Sequence, residues 1–193
     1  HELTVTPSIG IAMFPGDGAD FDNLSRCADA AMYDAKHHGR NHYRFFTSEM
    51  QATSERTLLL ENALRRALER DQLTLHYQPQ ISVATGAIIG AEALLRWRHP
   101  ELGQVSPAEF IPLAEECGVI LPLGRWVLET ACQQIQAWST EPALAQLTLS
   151  VNVSARQLTR PDFVDTVMSI LQSTGADPRK IKLELTEGVL VSD

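Results

Sequence analysis

Two long strand-like runs, LTLHYQPQISV from Leu73 to Val83 and AIIGAEALLRW from Ala87 to Trp97, are separated by just Ala84, Thr85 and Gly86. A parallel crossover takes about a dozen residues, so this short link commits the two runs to an antiparallel hairpin. Helices and strands then alternate. Ser106, with Pro107 at the first helical position and Glu109 three residues on, predicts a capping box that starts a helix through Glu116. A second helix is expected from about Leu123 to Trp138 and a strand from Leu147 to Ser154. A short turn capped by Ser154 and Gln157, a helix from Phe163 to Ser173 and a strand from Ile181 to Glu187 complete the series. This is the rhythm of an α/β parallel sheet, fronted here by one antiparallel hairpin.

A different block precedes the hairpin. The chain opens on His1 and runs straight into a strand-like apolar stretch, Val5 to Phe14, as if cut from something longer. After the turn PGDG, a helix is predicted from about Phe21 to His38, because Leu24, Cys27, Ala28, Ala31, Met32 and Ala35 fall on one stripe of 3.6-residue period. Gly39 stops it, and HYRFF at His42 to Phe46 alternates like a short strand. The polar stretch from Thr47 to Ser54 reads as a boundary. Beyond it a helix through Arg70 aligns Leu60, Ala63, Leu64, Ala67 and Leu68 as a rigid connection. The expected division is therefore a block over 1–46, a linker and connecting helix over 47–70, and an α/β block over 71–193.

Composition removes some partners. With 16 Lys and Arg against 24 Asp and Glu the net charge is -8, which argues against a nucleic-acid polymer or a membrane surface as partner. Three cysteines without metal-ligand spacing read as thiols of a reducing compartment. No run reaches the ~18 apolar residues of a membrane span.

Within GAEALLRWRHP, Gly90 to Pro100, Glu92 lies among alanine, leucine and tryptophan. An acidic group buried there needs a partner. Side-chain parity supplies one. Ser150, Asn152 and Ser154 share one face of their strand, Lys182, Glu184 and Thr186 share one face of the next, and Glu92 and Arg96 share a face of the hairpin. Three strands thus send oxygen ligands from Glu92, Asn152 and Glu184 toward one side. In a barrel these groups converge on the axis near the strand ends. Two carboxylates and a carboxamide, without histidine or thiolate, suit a hard cation such as Mg²⁺ or Mn²⁺.

EALLRW at Glu92 to Trp97, VNVSARQ at Val151 to Gln157 and LELTE at Leu183 to Glu187 resemble the successive motifs of the EAL domain, a bacterial cyclic-di-GMP phosphodiesterase domain. YQPQ at Tyr77 to Gln80 and SPAEFIPLAEECG at Ser106 to Gly118 add to the likeness. The implied fold is a modified TIM-type (β/α)₈ barrel with an antiparallel first strand. SIGIAMFP at Ser8 to Pro15 and ADAAMYDAKHHGRNHY at Ala28 to Tyr43 resemble the C-terminal part of a GGDEF diguanylate cyclase domain, an α/β tail ahead of the barrel.

The EAL resemblance implies that Glu92 and Glu184 are catalytic, that they and Asn152 bind metal, and that Arg96 and Gln78 contact substrate. Glu187, of opposite parity, would steady a loop. The reaction implied is hydrolysis of cyclic-di-GMP to 5′-pGpG with Mg²⁺ or Mn²⁺, in the cytoplasm, by a protein that is a homodimer when complete. Any membrane anchor would lie outside these residues. The GGDEF resemblance places GTP phosphates against Lys36 and Arg40, which read plainly are solvated cations at a helix C-terminus. Leu73 to Asp193 is about half of the ~250 residues of such a barrel. The family's paired aspartates, lysine and further glutamate are expected beyond Asp193, so the segment alone is expected to be inactive. Quieter readings stand beside these. Arg96 could pair with Glu92 in an internal salt bridge. The parent could also be a silent sensor or scaffold for cyclic-di-GMP or GTP, or a net diguanylate cyclase.

Overall fold

The computed structural model describes residues 6–185, and the chain divides into two compact units, His1–Leu60 and Glu61–Asp193. In the first, strand β1 (Ile9–Ile11) and strand β2 (Tyr43–Phe45) pair in parallel. Helix α1 (Phe21–His37) makes the crossover between them. Asp20 caps α1 by accepting from the Asn23 backbone N–H at 2.8 Å, and Cys27, Ala30, Ala31 and Ala35 form its buried stripe. The apolar run from Val5 yields only this three-residue strand within the described residues.

Helix α2 (Ser48–Ala67) begins inside the polar stretch read as a boundary. Its first two turns carry polar side chains on every face, so composition alone reads as linker. The buried positions Leu60, Leu64 and Ala67 keep the helical period in its second half.

The second unit is built on the hairpin. Strand β3 (Leu73–Ile81) runs antiparallel to strand β4 (Ile88–His99), with Gly86 in the left-handed region at φ 70° where the turn requires it. Strand β5 (Gly103–Val105), too short to show a period in the sequence, pairs antiparallel with the end of β4. Helices α3 (Pro107–Glu116) and α4 (Ile120–Ser139) lead to strand β6 (Thr148–Val153). Short helix α5 (Ala155–Leu158) and helix α6 (Phe163–Thr174) then lead to strand β7 (Ile181–Leu185). β4, β6 and β7 are parallel neighbours in the order β3-β4-β6-β7. The sheet of the described residues is not closed.

Caps agree with the sequence at one end and not at the other. The Ser154–Gln157 capping box is formed. At Ser106 no side-chain cap bond is made, and the Glu109 N–H donates to the Ser106 carbonyl at 2.9 Å.

One parity runs through the whole sheet. Ala91 and Ala93 of β4 and Leu149 and Val151 of β6 pack on Val127, Leu128, Ala131, Cys132 and Ile135 of α4 and on Ile170 of α6. Trp97, fully buried, stacks edge-on against Phe110 of α3 at 5.6 Å and donates its indole N–H to Gln72 at 3.2 Å. These odd-numbered residues form the helix-covered face. Burying several side chains of this size is worth roughly 1.5–3 kcal/mol each, and this layer holds the strand ends in place. The even-numbered residues face the other way.

Candidate functional site

On that other face stand the residues singled out by their parity. Gln78 of β3 lies directly across from Glu92 of β4 in the antiparallel register, and on the far side Glu92 is opposite Ser150 of β6. Asn152, two residues further along β6, is opposite Glu184 of β7. Asn152 and Glu184 each occupy the penultimate position of their strands, which places the group at the C-terminal end of the parallel strands.

Glu92 is only partly covered, not buried as its apolar neighbours imply. Those neighbours at odd positions belong to the opposite face, and the carboxylate shares its own face with polar side chains. The Asn152 side-chain N–H donates to Glu92 Oε1 at 2.7 Å. This bond joins residues 60 positions apart, and it leaves Glu92 Oε2 and the Asn152 Oδ1 as further oxygen acceptors. Arg96 instead donates to the Leu95 carbonyl at 3.1 Å. Among the described residues the salt bridge Glu92–Arg96 is not formed.

Among the described residues no group of three or more His, Cys, Asp or Glu stands within metal-binding range. The oxygen set here is two carboxylates and a carboxamide, brought to one face by strand register. An all-oxygen set of this kind fits a hard divalent cation better than a soft one. Glu187, expected to steady a loop, lies outside the described residues. Lys36 and Arg40 are both exposed in the first unit, Arg40 with a positive φ of 55°.

A cavity of about 300 Å³ adjoins the group, lined by Arg96 and Asn152 together with Ile111, Leu123, Gly124 and Gln157. Its wall depends on one close approach. A Cβ on Gly124 would fall 1.9 Å from Gln157 Nε2, so α4 can lie against the capped turn only because this position is glycine. Gln157 is buried, and its Oε1 accepts from the Ser154 N–H at 3.2 Å and from the Ser154 hydroxyl at 3.0 Å. The turn is further tied down by Arg156, which donates to the backbone carbonyls of Glu115 and Glu116 at the end of α3. These supports sit immediately after the strand that carries Asn152.

Two parts of this environment carried no role in the sequence reading. Gln80 Nε2 reaches Ser150 Oγ at 3.5 Å, and Lys182 lies opposite Ser150 in register, so a hydroxyl and a cation line the lower part of the same face. Both have the parity of the site residues, the signal that could have marked them. The His99 ring accepts from the Glu101 and Leu102 N–H groups at 3.3 Å. No helix of the described residues is long and apolar enough to cross a membrane.

Comparison with known proteins places the chain. The EAL domain model matches residues 61–193, and the diguanylate cyclase GGDEF domain model matches residues 1–42. The chain is 46% identical over 193 residues to the bifunctional diguanylate cyclase/cyclic di-GMP phosphodiesterase MucR of Pseudomonas aeruginosa, covering 100% of this chain and 28% of that protein. It is 41% identical over 192 residues to the cyclic di-GMP phosphodiesterase PdeR of Escherichia coli, covering 100% of this chain and 29% of that one. The chain thus spans less than a third of the length of these relatives. Among solved structures, the PaMucR phosphodiesterase in complex with c-di-GMP superposes with a TM-score of 0.66 at 43% identity, over 70% of this chain and 54% of that chain.

Proposed function

We propose, for a chain that belongs to the EAL domain family over residues 61–193 and carries a GGDEF segment over residues 1–42, that the protein it forms part of hydrolyses cyclic-di-GMP to linear 5′-pGpG. The observation that carries this reading is the contact of Glu92 with Asn152, at 2.7 Å, on the face that also presents Glu184, Gln78 and Arg96. The relatives' descriptions as cyclic di-GMP phosphodiesterases and the c-di-GMP complex of the structural neighbour support it.

Glu92, Asn152 and Glu184 would hold Mg²⁺ or Mn²⁺. Such an ion, when bound, lowers the pKa of a water molecule and neutralises charge in an in-line displacement at phosphorus. The protein residues orient the reactants. Asn152 fixes the Glu92 carboxylate through its amide and leaves the second carboxylate oxygen available. Arg96 presents a forked guanidinium to a phosphate of the substrate, the geometry that favours arginine for phosphate recognition. Gln78, across the hairpin from Glu92, offers both a donor and an acceptor to the nucleotide. In the reaction a water oxygen bonds to phosphorus, the bond to the ribose 3′ oxygen breaks, and that oxygen leaves with a proton. Glu187 is assigned the steadying of a loop at the site. The proposal extends to GTP at Lys36 and Arg40 of the GGDEF segment, to a homodimer in the complete protein and to a cytoplasmic site of action. The segment His1–Asp193 by itself is expected to be inactive.

Glu92→Gln in the full-length protein tests the assignment, since it keeps the size of the side chain and removes its charge. We expect release of pGpG to fall by at least two orders of magnitude with the fold retained, the loss typical of a group acting on the reacting centre. Turnover within a few-fold of the wild type would show Glu92 to be structural.

A further inference from the structure

A second cavity, of about 610 Å³, opens where the start of β3 meets the end of β4. Its lining includes Arg70, Arg96, Arg98, His76 and Thr74, with Asp71 contributing a carboxylate. Thr74 pairs with Arg96, and Thr74, His76, Arg96 and Arg98 all have the even parity of the site face. Arg70 arrives from the segment that leads into β3. Three arginines therefore line one cavity in a chain whose net charge is -8.

Two facts separate this cluster from an ordinary solvated rim. Arg70 and Arg98 make no side-chain hydrogen bond or ion pair among the described residues, so their donors are open to a ligand even with Asp71 in the same lining. Arg96 lines both this cavity and the one lined by Asn152, which makes the two spaces neighbours across a single residue. An anion seated on Arg70 and Arg98 would adjoin a substrate phosphate held by Arg96.

The charge of the occupant can be narrowed. A phosphodiester carries a single negative charge, whereas a terminal phosphate carries about -1.5 to -2 near neutral pH. Opening a cyclic dinucleotide converts one of its diesters into such a terminal group and frees it to move. We propose that Arg70 and Arg98, beside Arg96, form a phosphate-monoester subsite that receives the 5′-terminal phosphate of the linear dinucleotide product. Bidentate arginine contacts suit this end group, and GpG, which lacks it, offers the pocket nothing to grip. The inference rests on the phosphodiesterase reading for the identity of the dinucleotide. A 5′ mononucleotide presents the same end chemistry from another source.

The test uses the full-length protein and the double variant Arg70→Gln, Arg98→Gln, with inhibition of cyclic-di-GMP hydrolysis as readout. We expect inhibition by pGpG to weaken at least tenfold in the variant, while inhibition by GpG changes less than twofold. Binding of 5′-GMP and of guanosine is followed by calorimetry on the same two proteins. Loss of pGpG affinity with 5′-GMP binding unchanged assigns the pocket to the dinucleotide, whereas parallel loss assigns it to any monoester. Equal weakening for pGpG and GpG, or no change in either, overturns the subsite. If the wild-type protein does not hydrolyse cyclic-di-GMP, the phosphodiesterase reading fails, and the calorimetric comparison of 5′-GMP with guanosine still decides the pocket. Circular dichroism of the variant guards against misfolding, and Arg98→Lys should recover part of the pGpG effect.

Discussion

Replacing Gly124 by alanine puts one methyl group where the structure has no room for it. The new Cβ would meet Gln157 Nε2 at 1.9 Å, Cδ at 2.4 Å and Oε1 at 2.8 Å, all atoms of one side chain. A flexible side chain would swing aside at little cost, but this one is buried and holds the Ser154 N–H and hydroxyl through its Oε1. Moving it opens the capping box, a loss of about 1 kcal/mol, and leaves a buried donor unsatisfied, which costs about 1–3 kcal/mol. Keeping it in place instead overpacks the contact, which costs about 1–3 kcal/mol. Against either stands the gain of about 1 kcal/mol from exchanging glycine for alanine within a helix. The cheaper course sets the balance, a net destabilisation of about 1 kcal/mol and a fall in Tm of roughly 2–4 °C for a chain of this size. Thermal and urea unfolding followed by tryptophan fluorescence measures it. Truncating the obstacle, Gly124→Ala with Gln157→Ala, should cost less than the two single changes added together, because the clash and the broken cap are one event. A neutral or stabilising Gly124→Ala, or strictly additive effects, would refute the argument.

Arg96→Ala in the full-length protein should raise the KM for cyclic-di-GMP by at least tenfold while the metal concentration for half-maximal activity shifts less than threefold. Equal movement of both would show that the guanidinium organises the carboxylates rather than the phosphate. Asp177 provides a pH-dependent prediction. The Arg179 side chain, and then its backbone N–H, hold the Asp177 carboxyl down to about 2 from an ordinary 3.8. A depressed folded value stabilises the native state above the unfolded value, and this contribution is lost as pH falls through the folded one. The difference in urea midpoint between wild type and Asp177→Asn should therefore be constant above about pH 4.5 and shrink toward pH 2. A difference that stays constant down to pH 2 would deny the carboxylate this role.

The hairpin and the parity of the site face were legible because they depend on two simple properties, link length and a period of two. A three-residue link admits few alternatives, and the residues aligned by parity are the ones the strand register brings together. Features without a period were harder to read. β5 is three residues long and offers no alternation, while the start of α2 is polar on all sides and looks like a linker. The two predicted caps show the limit of a motif. At Ser154 the Gln157 side chain returns the bond, whereas the Ser106 side chain makes no cap bond although the same residue spacing is present. The environment of Glu92 was misread for another reason. Its apolar neighbours along the chain say nothing about what lies across the sheet, and there the carboxylate meets Asn152. The contact between Gly124 and Gln157 joins residues of different elements and could not be seen in either alone.

The alternation of the sheet writes two messages into one stretch of chain. Odd positions such as Ala91, Ala93, Leu149 and Val151 face the helices, and even positions such as Gln78, Glu92, Asn152 and Glu184 face the site. Mutational drift can thus explore one message while the other is conserved, and a library randomised only at even positions would vary recognition on a constant scaffold. The interleaving also sets a vulnerability. Losing a single residue inside one of these strands exchanges the two messages from that point onward, so substitutions should be far better tolerated here than deletions.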